Sequence, residues 1–180
     1  DGVYVVDNAR VSAFRAIDGT KAWEAPQGVG QPFDAVLGAG GLVVYGPRDA
    51  VELSLADGQT LWRWSTTQGT IRLVSTTGDR VLAVVQAPDP QTDTLVVLAG
   101  KSARKVGTAA PGGFLASPLV VHGDRVLMTV GALGEQIFGM VNAPEKRLVY
   151  TRKRTLVGVS LATGKECLRM ELPTVGDPAT

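Results

Sequence analysis

Leu53-Ser54-Leu55-Ala56-Asp57-Gly58-Gln59-Thr60-Leu61-Trp62 reads as a strand, a tight turn and a second strand running towards a tryptophan. Asp57-Gly58 is a hairpin signal, because the favoured two-residue turns need positive φ and glycine supplies it without steric penalty. The chain writes this unit again. Phe14-Arg15-Ala16-Ile17-Asp18-Gly19-Thr20-Lys21-Ala22-Trp23 is one copy, and Val159-Ser160-Leu161-Ala162-Thr163-Gly164-Lys165-Glu166-Cys167-Leu168 is another, with Leu168 at the tryptophan position. A weaker copy runs from Val97 to Val106, with Ser102 standing for the turn glycine and Val106 for the tryptophan. The turns therefore fall at 19, 58, 102 and 164.

A second feature precedes each copy. Gly2 leads into Val3-Tyr4-Val5-Val6 and Gly41 into Leu42-Val43-Val44-Tyr45. Gly78-Asp79-Arg80 and Gly123-Asp124-Arg125 open two further apolar runs. Two features repeating in one order at this period indicate a solenoid, a propeller or an array. No run of ten residues carries helical periodicity free of Gly and Pro. The 22 Gly and 10 Pro punctuate short β-branched stretches, which indicates an all-β fold.

In chain order the reading gives units of about 1–26, 33–66, 70–108 and 114–172, with 173–180 as a departing linker. The first unit has three strands, Val3–Val6, Val11–Ala16 and Lys21–Glu24. The second has four, Ala35–Leu37, Leu42–Tyr45, Ala50–Leu55 and Thr60–Ser65. The third has Thr70–Ser75, Arg80–Gln86, Thr94–Leu98 and Arg104–Thr108. The last has Leu115–Val121, Arg125–Val130, Thr155–Leu161 and Glu166–Leu172. Four antiparallel strands per unit is the blade pattern of a β-propeller. The expectation is an incomplete ring of about four blades, the first lacking its leading strand.

These residues resemble the propellers built from pyrroloquinoline-quinone-like (PQQ-like) repeats, whose pattern runs approximately Ala-x-Asp-x-x-Thr-Gly-Lys-x-x-Trp. Ala13, Asp18, Gly19, Lys21 and Trp23 fit it, with Arg15 where the pattern has Asp. Gly58 and Trp62 keep it in the second unit, and Thr163, Gly164 and Lys165 in the last. WD40 repeats fit less well, since there is no Gly-His pair and no Trp-Asp. The resemblance implies that Trp23 and Trp62 dock between neighbouring blades, with Gly19, Gly58 and Gly164 shaping the turns. It also implies an exported or periplasmic bacterial setting, and more blades than four. The missing ones would come from the parent chain or a second copy.

The 18 basic and 17 acidic side chains nearly cancel, leaving +1, so nothing points to nucleic acid or an anionic membrane. No apolar run approaches the ~18 residues of a membrane helix. The single cysteine, Cys167, excludes an internal disulfide and a cysteine zinc cluster. It also excludes the vicinal cysteine pair often found in PQQ-dependent quinoprotein dehydrogenases, the alternative reading. Asp7, Asp18, Asp57, Asp79 and Asp124 sit at turn positions. His122, the only histidine, stands before a hairpin with no nucleophile in sight. Gly38-Ala39-Gly40-Gly41 leads into a strand, where a phosphate cradle would open a helix. No catalysis, cofactor or metal is expected.

One stretch breaks the repeat. Residues 131–153 lie between the second and third strands of the last unit. They hold Ile137, Phe138, Met140, Val141, Leu148, Val149 and Tyr150, with Lys146, Arg147, Arg152 and Lys153 among them and Arg154 just beyond. Apolar anchors ringed by Arg suit a protein interface. Phe138, Met140, Arg147, Leu148, Tyr150 and Arg152 are the expected contacts to another chain. The expectation is a non-catalytic scaffold that mediates protein–protein interaction.

Overall fold

A computed structural model describes residues 2–7, 10–26, 28–32, 34–88, 92–138 and 145–173; residues 133–138 and 145–152 are described by backbone alone. The first sheet holds β1 (Gly2–Val6), β2 (Arg10–Arg15) and β3 (Lys21–Pro26). The second holds β4 (Asp34–Leu37), β5 (Gly41–Tyr45), β6 (Asp49–Ser54) and β7 (Thr60–Ser65). The third holds β8 (Thr70–Thr77), β9 (Arg80–Gln86), β10 (Asp93–Ala99) and β11 (Lys105–Ala109). The fourth holds β12 (Phe114–Leu115), β13 (Val120–His122), β14 (Arg125–Phe138), β15 (Glu145–Ser160) and β16 (Glu166–Leu172). Each sheet is an antiparallel meander in chain order, except that β12 and β13 both pair with β14.

That split corrects the single strand expected over Leu115–Val121. Pro118 has no N–H to give a ladder. Instead, the Ala116 N–H donates to the Thr129 carbonyl at 2.8 Å, and the Thr129 N–H donates to the Ser117 hydroxyl at 2.9 Å.

Successive sheets share three apolar cores. Val11 with Leu42, Val44, Val51 and Leu53 fills the space between the first and second. Val43, Tyr45, Ala50 and Trp62 meet Val74, Val81, Ala83 and Leu98 between the second and third. Leu82, Val84, Leu95 and Val97 meet Val126, Met128, Val157 and Val159 between the third and fourth. Side chains alternate across a strand, so an inner sheet feeds two cores. β5 accordingly sends Leu42 and Val44 one way, Val43 and Tyr45 the other, and is buried along its whole length. Among the described residues the sheets do not close into a ring.

The outermost faces have no neighbour among the described residues. β1 turns Tyr4 and Val6 inward and leaves Val3 and Val5 54% and 49% exposed. On the fourth sheet, Val120, Leu168 and Met170 are exposed on the face away from the third.

Candidate interface: docking turns, open ends and a ribbon

The four turns between the last two strands of each sheet are superimposable in their hydrogen bonds. The N–H groups of Gly19, Gly58, Ala103 and Gly164 donate to the carbonyls of Arg15, Ser54, Ala99 and Ser160 at 2.7–2.9 Å. A second bond closes each loop, from the N–H of Arg15, Ser54, Ala99 and Ser160 to the carbonyl five positions on, at 2.8–2.9 Å. Asp18, Asp57, Ser102 and Thr163 each accept the N–H two residues ahead through a side-chain oxygen. The loops are therefore four residues long. The two-residue turn expected at Asp57-Gly58 is corrected: only Gly58 has positive φ, at 73°, whereas a type I′ turn needs it at both central positions.

The same geometry realigns the third unit. Its left-handed residue is Ala103, φ 51°, and Ser102 takes the position of Asp18 and Asp57. The turn is thus at 103, not 102. The residue at the tryptophan position becomes Gly107, not Val106.

The tryptophans reach the next sheet's turn. Trp23 Nε1–H donates to the Leu55 carbonyl at 2.9 Å, and Trp62 Nε1–H to the Gly100 carbonyl at 2.6 Å. Leu55 and Gly100 are the equivalent first residues of their turns. Trp62 is buried, with 6% of its surface exposed. Trp23 is only half-buried, although burial of both was expected; Tyr4 lies beside it with ring centroids 6.0 Å apart. Gly58 is needed there, since a Cβ would stand 2.6 Å from the Trp23 ring.

The third interface solves the same problem differently. With glycine at 107, the backbones come into contact: a Cβ on Gly107 would stand 2.0 Å from the Thr163 carbonyl oxygen. The carbonyl of Leu161, equivalent to Leu55 and Gly100, accepts Arg80 Nε–H at 3.0 Å. A guanidinium from the second strand replaces the indole. In the fourth sheet Leu168 holds the tryptophan position and faces no turn among the described residues.

Asp93 adds a clasp between the third and fourth sheets. It is buried, accepts the Leu115 N–H at 2.5 Å, and pairs with Arg72 at 3.2 Å. Sequence reasoning passed over it, as it did Glu52. Glu52 is buried where the other sheets carry Ala13, Val97 and Gly158, and it accepts the Gly40 N–H at 3.2 Å. A Cβ on Gly38 would lie 2.6 Å from its carboxyl oxygen, so the Gly-rich loop 38–41 wraps a carboxyl group.

The irregular stretch is an extension of β14 and β15 into a two-stranded ribbon. Leu133 pairs with Tyr150, Glu135 with Leu148, and Ile137 with Lys146; between them Gly134 pairs with Val149, Gln136 with Arg147 and Phe138 with Glu145. Residues directly opposite share a face. Leu148 and Tyr150 thus fall on one face at register, with Leu133 and Ile137, and Phe138 and Arg147 on the other. Met140 lies outside the described residues, as do the side chains of Phe138, Arg147, Leu148, Tyr150 and Arg152. At the ribbon's base Arg154 lies over the Phe114 ring, 5.6 Å from its centroid.

His122 and Cys167 are exposed, and Cys167 Sγ is 3.5 Å from the Gly158 carbonyl. Among the described residues there is no group of three His, Cys, Asp or Glu placed to hold a metal ion, and no helix long and apolar enough to cross a membrane.

The sequence matches no family model and no curated protein. Solved structures do match. BamB from Moraxella catarrhalis is similar at a TM-score of 0.54 and 12% identity, over 94% of this chain and 60% of that one. The quinohemoprotein alcohol dehydrogenase of Comamonas testosteroni gives 0.63 and 11%, over 94% of this chain and 33% of that one. A europium-containing methanol dehydrogenase gives 0.57 and 10%, over 95% and 49%. These are β-propeller proteins. The fold here is a β-propeller arc. It spans about 60% of the BamB chain and a third to a half of the two dehydrogenases.

Proposed function

We propose that the chain is a non-catalytic propeller scaffold of a bacterial, periplasmic or otherwise exported assembly. It holds other protein, or the remaining blades of its ring, against its open ends and its ribbon. The observation that carries this reading is the exposure of Val3 and Val5 at one end and Leu168 and Met170 at the other, at strand positions that are buried or half-buried where a neighbouring sheet is present. Apolar faces of this kind mark interaction surfaces. The ribbon, with Phe138, Met140, Arg147, Leu148, Tyr150 and Arg152, is the arm that contacts a partner, Arg147 and Arg152 pairing with carboxylates through the two-pronged guanidinium. Such partners are proteins, with no nucleic acid.

BamB among the similar structures supports a scaffold, while the dehydrogenases keep a fragment of a PQQ-dependent enzyme as the competing reading. Native mass measurement separates them when joined to a cofactor assay. The scaffold reading expects a particle larger than the 18.8 kDa chain and no turnover of alcohols with quinone and calcium supplied. An isolated 18.8 kDa monomer from the native source, or stoichiometric quinone with alcohol turnover, overturns it.

A further inference from the structure

β1 holds in its sheet the place that β5, β9 and β14 hold in theirs. Those three are paired along both edges, and β1, among the described residues, along one, with β2. The sequences are of one kind, Gly-Val-Tyr-Val-Val in β1 and Gly-Leu-Val-Val-Tyr in β5. Natural edge strands protect themselves with charge, proline or a bulge. Gly2–Val6 has no charge and no proline, and its pairing with β2 runs without a register shift. Beside this edge lies a cavity of about 480 Å³ lined by Tyr4, Val6, Asp34, Ala35, Leu37 and Leu42 among others. Leu37 in its wall is 60% exposed.

We propose that the free edge of β1 is a strand-acceptor site. Its ligand is an extended segment, apolar at alternate positions, that pairs antiparallel to β1 and fills the cavity. The inference rests on the partial-ring reading above and deepens it. The occupant follows from the chain's own connectivity. β4, β8 and β12, the strands paired to the free side of β5, β9 and β14, each follow the last strand of the preceding sheet after a short connection, 27–33, 66–69 or 110–113. The segment at the β1 edge and the sheet that covers Val3 and Val5 are therefore one body, and so short a connection makes it part of the same polypeptide. Main-chain bonds supply affinity in such strand addition, and alternate side chains supply specificity.

Gly2 corresponds to Gly41, so a second copy of residues 32–40 joined to Gly2 in place of Asp1 puts a copy of β4 and its loop in register. The control carries the same extension with its Val36 equivalent replaced by proline. Hydrogen exchange of the Gly2–Val6 amides and the thermal unfolding midpoint are then measured. The extension should slow exchange by about tenfold or more and raise the midpoint, and the proline version should do neither. Equal exchange and equal midpoints for the two overturn the site. A free peptide of residues 32–38 that protects β1 as fully at equimolar concentration overturns the assignment to a single polypeptide. Both readouts are taken on the isolated chain, so they do not depend on whether it assembles.

Discussion

At the scale of single residues, the docking turns make a matched set of predictions. Gly19 and Gly58 share nearly the same positive φ, 69° and 73°, but only Gly58 has a ring against it. Alanine at either position meets left-handed strain of ~1–2 kcal/mol. Gly58→Ala must also displace Trp23, so its chemical unfolding midpoint should fall well below that of Gly19→Ala. Gly107→Ala has no flexible side chain to push, only the Thr163 backbone, and should destabilise by ~1–3 kcal/mol or more. Trp62→Ala should cost ~3–5 kcal/mol and Trp23→Ala less, since Trp23 is already partly wet. Equal midpoints for the two tryptophan variants would contradict docking by burial.

The same turns set a pH response. Lys21, and after it Arg10, hold the Glu24 carboxyl down at about 2. The Thr20 amide and hydroxyl lower Asp18, and the Ser54 hydroxyl with the Gln59 amide lowers Asp57. In the unfolded chain these groups take up protons at ordinary carboxylate pKa values. The unfolded state therefore binds more protons through that interval, so stability rises with pH across it and is lost as the pH is lowered. The contribution should be whole above the ordinary range of about 4–4.5 and lost as the pH drops towards about 2, in a series of urea unfolding curves. All three groups are exposed, so the loss is graded and salt-sensitive. Residue-scale reading of the sequence found Asp18, Gly19, Asp57 and Gly58 because Asp and Gly signal a turn loudly. It slipped by one at Ser102, because Ala103 does the work of glycine without being one, and nothing in an alanine announces positive φ.

At the scale of elements, the β-runs were legible because inner sheets bury both strand faces and so read as continuous apolar stretches. Leu42–Tyr45, Arg80–Gln86 and Thr60–Ser65 are of this kind or abut it. The Leu115–Val121 strand misled because Ser117 supplies from its side chain what a backbone acceptor supplies elsewhere. Residues 131–153 announced themselves only as a break in the repeat, since a ribbon with polar and apolar residues on both faces carries no clear period. The register now divides its residues between two faces. Cutting the ribbon back to a short turn in place of 133–150 removes no core residue named above. Closing a shorter loop changes the entropy by only ~0.6 kcal/mol per halving. The shortened chain should therefore keep its unfolding midpoint and lose association with the native partner in a pull-down from the native source. Association at undiminished affinity would reduce the ribbon to decoration.

At the scale of the molecule, the two open faces make the sharpest contrast with the interior. Val84 and Val3 are both strand valines, one in the core shared by the third and fourth sheets, the other on an outer face. Lysine at Val84 would bury an unpaired charge, and the chain should not fold. Lysine at Val3, Leu168 or Met170 meets solvent in the isolated chain, so each should shift stability by no more than ~0.5 kcal/mol. In an assembly the same charge would be trapped against another sheet. The ammonium would have no partner there, and association should weaken by at least ~100-fold, as a lost ~3 kcal/mol requires. Leu168 is the most diagnostic of the three. It stands where Trp23 and Trp62 stand, so Leu168→Trp should do the reverse and give a following turn an indole to accept. The measurement is sedimentation of the chain with its native partner, wild type against L168K and L168W. Tighter association for L168W together with loss for L168K would place a blade on that face, and indifference of both would leave the fourth sheet as the true end of the arc.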